Sequence, residues 1–170
     1  MVGATQAGVV VGVGESPAAL HALRYAVAEA RRRVSTLRAV RVWQAGTALH
    51  GYDVDQARTV AGADAVLTIR RSFEQAMGGL PKDLDVTLIA VEGAVGAALV
   101  AQAPNDHDLL VVGASSRRRW RPLMSTVDQQ CVRLASSPVV VVPAPAMARG
   151  HATKAIVRAI RREAHRLAAS

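Results

Sequence analysis

The chain reads as one α/β domain with a mainly parallel sheet, and three features of its sequence lead there. Short β-branched runs recur from Val9 to Val142. Between them lie stretches with apolar residues at spacings of three and four, so strands alternate with helices. The apolar side chains make up 51% of 170 residues but only 3% of residues are aromatic, a small and branched set that suits helices lying flat on a sheet.

Val9, Val10, Val11, Gly12 and Val13 form a first strand apolar on both faces, broken by Gly14 and Glu15. Ser16 and Pro17 then supply an N-cap and a proline at the first helical position. Leu20, Leu23, Val27 and Ala30 make one apolar face, and Arg31, Arg32 and Arg33 end the helix where cations suit its dipole. Residues 37–43 read as the second strand and 46–52 as a loop. Val60, Ala63, Leu67, Phe73 and Met77 mark a long amphipathic helix stopped by Gly78, Gly79 and Pro81. The third strand spans 86–91 and a short helix 97–103, ended by Pro104. The fourth strand spans 108–112 and is ended by Gly113. A polar, arginine-rich loop leads to a helix with Val127, Cys131 and Leu134 on one face. Ser137 and Pro138 end that helix, and residues 139–142 form the fifth strand. The alternation implies crossover connections and a parallel sheet covered on both faces. The expected domain spans 1–145, followed by a basic tail at 146–170 that places Ile156, Ile160 and Leu167 on one side of a helical pattern.

A single cysteine, Cys131, cannot form an internal disulfide, which favours a reducing compartment. No signal peptide is visible, and the longest apolar run is far too short to span a bilayer, so the expected location is cytoplasmic. The formal net charge is +8, with six basic residues against Glu163 from Arg149 onward and further clusters at 31–33 and 117–121. Such charge serves solubility, or it draws an anionic partner.

Ligands of open parallel sheets bind at the carboxyl ends of strands, where the winding reverses. Two loops qualify: Val13, Gly14, Glu15 and Ser16 after the first strand, and 113–126 after the fourth. The second loop enters a helix at Ser125 and Thr126, where backbone N–H groups and the helix dipole favour an anion, and Arg117, Arg118, Arg119 and Arg121 add charge.

Residues 9–16 (VVVGVGES), 108–116 (DLLVVGASS), 127–130 (VDQQ) and 136–143 (SSPVVVVP) together resemble the universal stress protein family in order, spacing and length. The resemblance covers roughly 9–143. It implies a three-layer α/β fold of the adenine nucleotide alpha hydrolase-like kind, with five parallel strands in the order 3-2-1-4-5 and helices on both faces. It also implies homodimers paired through the fifth strand. One branch of the family binds ATP through an acidic residue after the first strand, a backbone contact from the second, and a G-x-x-G…G-S/T phosphate loop. Carried onto this chain, the nucleotide-binding residues are Val13, Gly14, Val42, Gly113, Ser116, Arg117, Ser125, Thr126 and Val127, and ATP or ADP is the implied ligand. The chain departs from that pattern. Gly14 stands in the acidic position with Glu15 beside it; Ser116 and Ser125 replace loop glycines, and the spacing between them is one residue shorter. Glycine permits positive φ and close approach of backbone to phosphate, which serine does less well. Serine and threonine hydroxyls and Arg117 supply donors in return.

Five histidines are scattered without partners at metal-ligand spacing, so no metal site is expected. No nucleophile motif appears, and no catalytic residue is assigned. Cys131 lies on an apolar helix stripe and reads as core. Trp43 and Trp120 either pack on the domain or flank the cleft. Three functions compete. The first is a non-enzymatic stress-response or regulatory protein whose altered loop binds adenine nucleotide. The second is a dimeric scaffold or adaptor without nucleotide, its basic loop and tail binding an anionic partner. The third is a slow ATPase. No recognised nucleic-acid motif supports a nucleic-acid partner.

Overall fold

The computed structural model describes residues 7–44, 54–115 and 125–149. The loop at 45–53, most of the arginine-rich loop with Ser116 and Arg117, and the basic tail from 150 lie outside the described residues.

The elements follow in the order β1 (Val9–Gly12), α1 (Pro17–Arg33), β2 (Leu37–Trp43), α2 (Val54–Met77), β3 (Val86–Glu92), α3 (Val95–Ala101), β4 (Leu109–Gly113), α4 (Val127–Leu134) and β5 (Val139–Val142). A short 3-10 turn, Ala146–Arg149, follows. The five strands form one sheet in the order β3-β2-β1-β4-β5, and every neighbouring pair is parallel. The valines of β1 serve both faces. Val9 and Val11, with Val13 just beyond, pack beneath α1 and α2 around Leu23, Ile69 and Phe73. Val10 packs on the opposite side with Val40, Leu99 and Cys131 beneath α3 and α4. The three layers therefore share one sheet whose central strand is apolar on both faces.

α1 starts as its sequence requires. The Ala19 N–H donates to Ser16 Oγ at 3.1 Å and Pro17 sits in the first turn. Its end is less usual: Val34 takes a left-handed conformation at φ 53°, and the Ser35 N–H returns to the Ala30 carbonyl at 3.0 Å. Arg31, Arg32 and Arg33 are not a free basic cluster. Arg31 forks onto Asp83 at 2.7 and 2.8 Å, while Arg32 and Arg33 both grip the buried Glu29 at 2.6 Å. These arginines hold the Glu29 carboxyl below its usual range, against the opposing effect of burial.

The buried face of α2 differs from the expected one. Ala65, Ile69, Phe73 and Ala76 face the sheet, whereas Val60 and Leu67 are 62% and 50% exposed. Two helical patterns compete in this segment, and small residues decide between them. Ala65, Thr68 and Ser72 let the helix approach the sheet closely, and the Ser72 hydroxyl donates to the Thr68 carbonyl at 2.9 Å, so its polarity is satisfied within the helix. On α4, Cys131 is buried but Leu134 is 55% exposed. The short third helix begins and ends two residues earlier than its apolar pattern indicated.

At the amino edge of the sheet one buried carboxylate joins three segments. Asp108 accepts from the Gly8 N–H at 2.8 Å, Arg38 at 2.7 Å and the Asn105 side-chain amide at 3.1 Å. This pin lies at the edge opposite the carboxyl ends of the strands and ties together the starts of β1, β2 and β4.

Candidate functional site

β1 and β4 are neighbours, paired Val9 to Leu109 and Val11 to Val111, so the loops at their carboxyl ends meet. Gly113 is the closest point of that meeting. A Cβ there would stand 2.6 Å from the backbone nitrogen of Ala19 and 2.7 Å from the carbonyl carbon of Ala18. Only glycine lets the end of β4 lie against the first turn of α1. Gly12 does the same against Leu99, whose Cδ1 lies 3.1 Å from where its Cβ would be.

These close approaches frame a cleft of about 350 Å³ at the carboxyl edge. Five of the nine sequence-assigned residues line it: Val13, Gly14, Val42, Gly113 and Val127. Ser125 and Thr126 stand just before α4, outside that lining; Ser125 lines a neighbouring hollow with Asp128, Val132 and Val141. Ser116 and Arg117 lie outside the described residues. Trp43 does not line the cleft. It is half-buried, with Cζ2 3.8 Å from the Cβ position of Gly62 on α2. His21 donates to or accepts from nothing in the cleft; its Nδ1 meets the Pro143 carbonyl at 2.8 Å and fixes the chain leaving β5.

Two lining features escape the motif. The apolar floor comes from Leu99 and Val95 of α3. The one charged side chain among the described lining residues is Arg41, at the carboxyl end of β2. Its Nη1 donates to the Val13 carbonyl at 3.2 Å and lies 3.7 Å from where a Cβ of Gly14 would stand. The signal was present: a strand reading LRAVRVW, covered on both faces, carries two arginines that need a reason. Arg38 finds its reason in Asp108, and Arg41 points to the cleft.

The N-terminus of α4 is already partly occupied by the chain itself. The Thr126 N–H donates to Gln129 Oε1 at 3.1 Å, and the Ser115 N–H reaches Asp128 Oδ2 at 3.5 Å. The other carboxylate oxygen of Asp128 is buried and unpartnered. Burial works to raise this carboxyl, but hydrogen bonds from Thr126 and Ser115 outweigh it and hold the group below its ordinary range. A negative charge thus stands at the helix end where a phosphate is expected. Cys131, one turn on, is sealed beneath α3, and burial, aided by the Asp128 charge, pushes its thiol up to about 11. It behaves as core.

Five parallel strands in the order 3-2-1-4-5, with a cleft where the winding reverses, define an open doubly wound α/β protein. A model of the universal stress protein family matches residues 8–143, and the chain belongs to that family. Among solved structures it is similar to UspA from Lactobacillus plantarum (20% identity, TM-score 0.60, covering 82% of this chain and 99% of that one). It is also similar to a universal stress protein in complex with cAMP (23% identity, TM-score 0.54, 82% and 98% covered). A third is the universal stress protein from Archaeoglobus fulgidus in complex with dAMP (21% identity, TM-score 0.50, 80% and 97% covered). No curated protein matches the chain. At these identities the structures speak for the fold.

Proposed function

We propose that this universal stress protein is a non-enzymatic, cytoplasmic regulator that binds an adenine nucleotide, ATP or ADP among them, in the cleft at the carboxyl edge of its sheet. The observation that carries the proposal is the convergence of Val13, Gly14, Val42, Gly113 and Val127 on one cleft at the switch point. Two relatives of the same fold are described in complex with cAMP and dAMP. In this proposal the base rests against Val13 and Val42, and the phosphates run toward Gly113, Ser116, Arg117, Ser125 and Thr126. The described lining offers glycines, apolar side chains and one arginine, a set suited to holding a ligand rather than to proton transfer. Calorimetric titration of ATP, with and without Mg²⁺, tests the proposal. Saturable one-site binding without release of phosphate supports it; absence of binding at millimolar ATP overturns it.

A second reading, a dimeric scaffold without nucleotide, draws support from the same cleft. Gly14 offers no carboxylate to the ligand, and Asp128 places a charge of the wrong sign at α4. The titration separates the two.

A further inference from the structure

We infer that Arg41 makes this cleft selective for a nucleotide that carries a phosphate on its ribose, in addition to or in place of a 5′-polyphosphate. The inference rests on the nucleotide-binding proposal and names the ligand class for that site.

Among the described arginines, Arg70, Arg71 and Arg133 lie exposed on helix surfaces, and most of the others are held by a partner. Arg31, Arg32, Arg33, Arg38 and Arg58 each face a carboxylate within 3.5 Å. Arg24 is spent on the Ala76 carbonyl at 2.6 Å. Arg41 is half-buried and lines a ligand-sized cleft, yet among the described residues no carboxylate pairs with it. One of its donors holds the Val13 carbonyl at 3.2 Å, which fixes the guanidinium across the end of β1. Its remaining N–H groups have no described hydrogen-bond partner. A guanidinium removed from bulk water without a counter-charge is costly, and an anion that enters the cleft relieves that cost.

Gly14 is the second, independent observation. It leaves the space in front of the guanidinium open, since a side chain there would begin 3.7 Å from Nη1. A carboxylate at this position would neutralise Arg41 and present an acceptor to ribose hydroxyls. With glycine, the cleft presents a cationic donor instead, so the complementary group on the ligand is an anion. Arg41 sits beside Val13, at the base and ribose end of the proposed pose, so this anion is attached to the ribose. A planar fork of N–H donors matches phosphate geometry.

The test compares adenosine 5′-monophosphate, adenosine 3′,5′-bisphosphate, guanosine 5′-monophosphate and inorganic pyrophosphate on the full chain by calorimetry. The wild type should bind the bisphosphate about ten- to a hundred-fold more tightly than the monophosphate, the scale of one charge-assisted hydrogen-bond set. Arg41→Gln should collapse that ratio toward one. Gly14→Asp keeps the arginine and neutralises it in place. Its Cβ would meet the Ala19 Cβ at 3.3 Å and Arg41 Nη1 at 3.7 Å, both side-chain atoms, so this second variant should fold and should also collapse the ratio. A wild-type ratio near one, a ratio indifferent to both variants, or tighter binding of guanosine 5′-monophosphate than of the bisphosphate would overturn the inference while leaving nucleotide binding standing. If no nucleotide binds but pyrophosphate does, and Arg41→Gln weakens it, the nucleotide proposal falls and the anion site at Arg41 remains. If pyrophosphate binding ignores Arg41, or nothing binds, the anion site falls as well.

Discussion

At the scale of single residues, the cleft is shaped by side chains that are missing as much as by those present. Gly113 lets β4 end against α1, and Gly14 leaves Arg41 uncovered. Both glycines were legible in the sequence as loop positions. Their reasons were not, because close approach between segments a hundred residues apart leaves no local trace. Arg41 stood out as an arginine in a covered strand, but the family pattern marks Val42 for its backbone and is silent on the residue before it, so only the fold shows that its partner is the Val13 carbonyl at the cleft. Asp128 was legible only as a helix-opening acid, and its position at the phosphate end emerges from the fold of 113–115 against α4. A prediction follows from its charge. The Asp128 carboxyl is held below its ordinary value of 3.8, so its contribution to stability is present above that value and is lost as pH falls through the folded value. Asp128→Asn should therefore lower the urea midpoint at pH 7, with the difference from wild type shrinking as pH falls below 3.8. The same substitution removes a like charge facing the ligand, so ATP affinity measured without Mg²⁺ should rise several-fold. An unchanged midpoint at pH 7 would show that the carboxylate does not hold Ser115 and Thr126.

At the scale of elements, strand positions were almost fully legible, since runs such as Val139–Val142 have few alternatives between their bounding prolines. The facing of helices was less so. α2 carries two apolar patterns, and the choice between them depends on how closely Ala65 and Ser72 allow approach to β2 and β3, which only the assembled sheet decides. The end of α1 shows a compromise at the same scale. Val34 is β-branched, 84% exposed and left-handed, although that conformation strongly favours glycine. Its side chain gains little burial in return. Val34→Gly should stabilise the fold by about 0.5–1 kcal/mol, the relief of left-handed strain less the added freedom of the unfolded chain. Thermal unfolding checks this; a lower midpoint would mean that the Val34 side chain contributes packing that outweighs its strain.

At the scale of the whole molecule, the sheet leaves two edges, and they are treated differently. β3 ends beside an ion pair, Arg58 to Glu92 at 3.5 Å, and its last residue bears a charge. β5 is four valines with no charge along it. Val141 is 37% exposed on that edge, Val132 of α4 beside it is 57% exposed, and the two line one hollow of about 440 Å³. An uncharged apolar edge invites pairing with another chain unless something covers it. The last strand of the sheet ends at Val142, and His21 anchors the backbone just beyond it at Pro143. The proposed assembly is therefore a homodimer paired through β5, with the basic tail from 146 onward dispensable for the fold. Light scattering after size exclusion at micromolar concentration should give twice the chain mass. Val141→Lys places a charge at the centre of the contact and should weaken dimerisation at least ten-fold without lowering the urea midpoint of the monomer. Truncation after Pro145 separates the two remaining ways of covering the edge. If the truncated chain still dimerises, a second copy covers β5. If the full chain is monomeric and the truncated one aggregates, residues beyond Pro145 shield the edge instead, and the dimer is excluded.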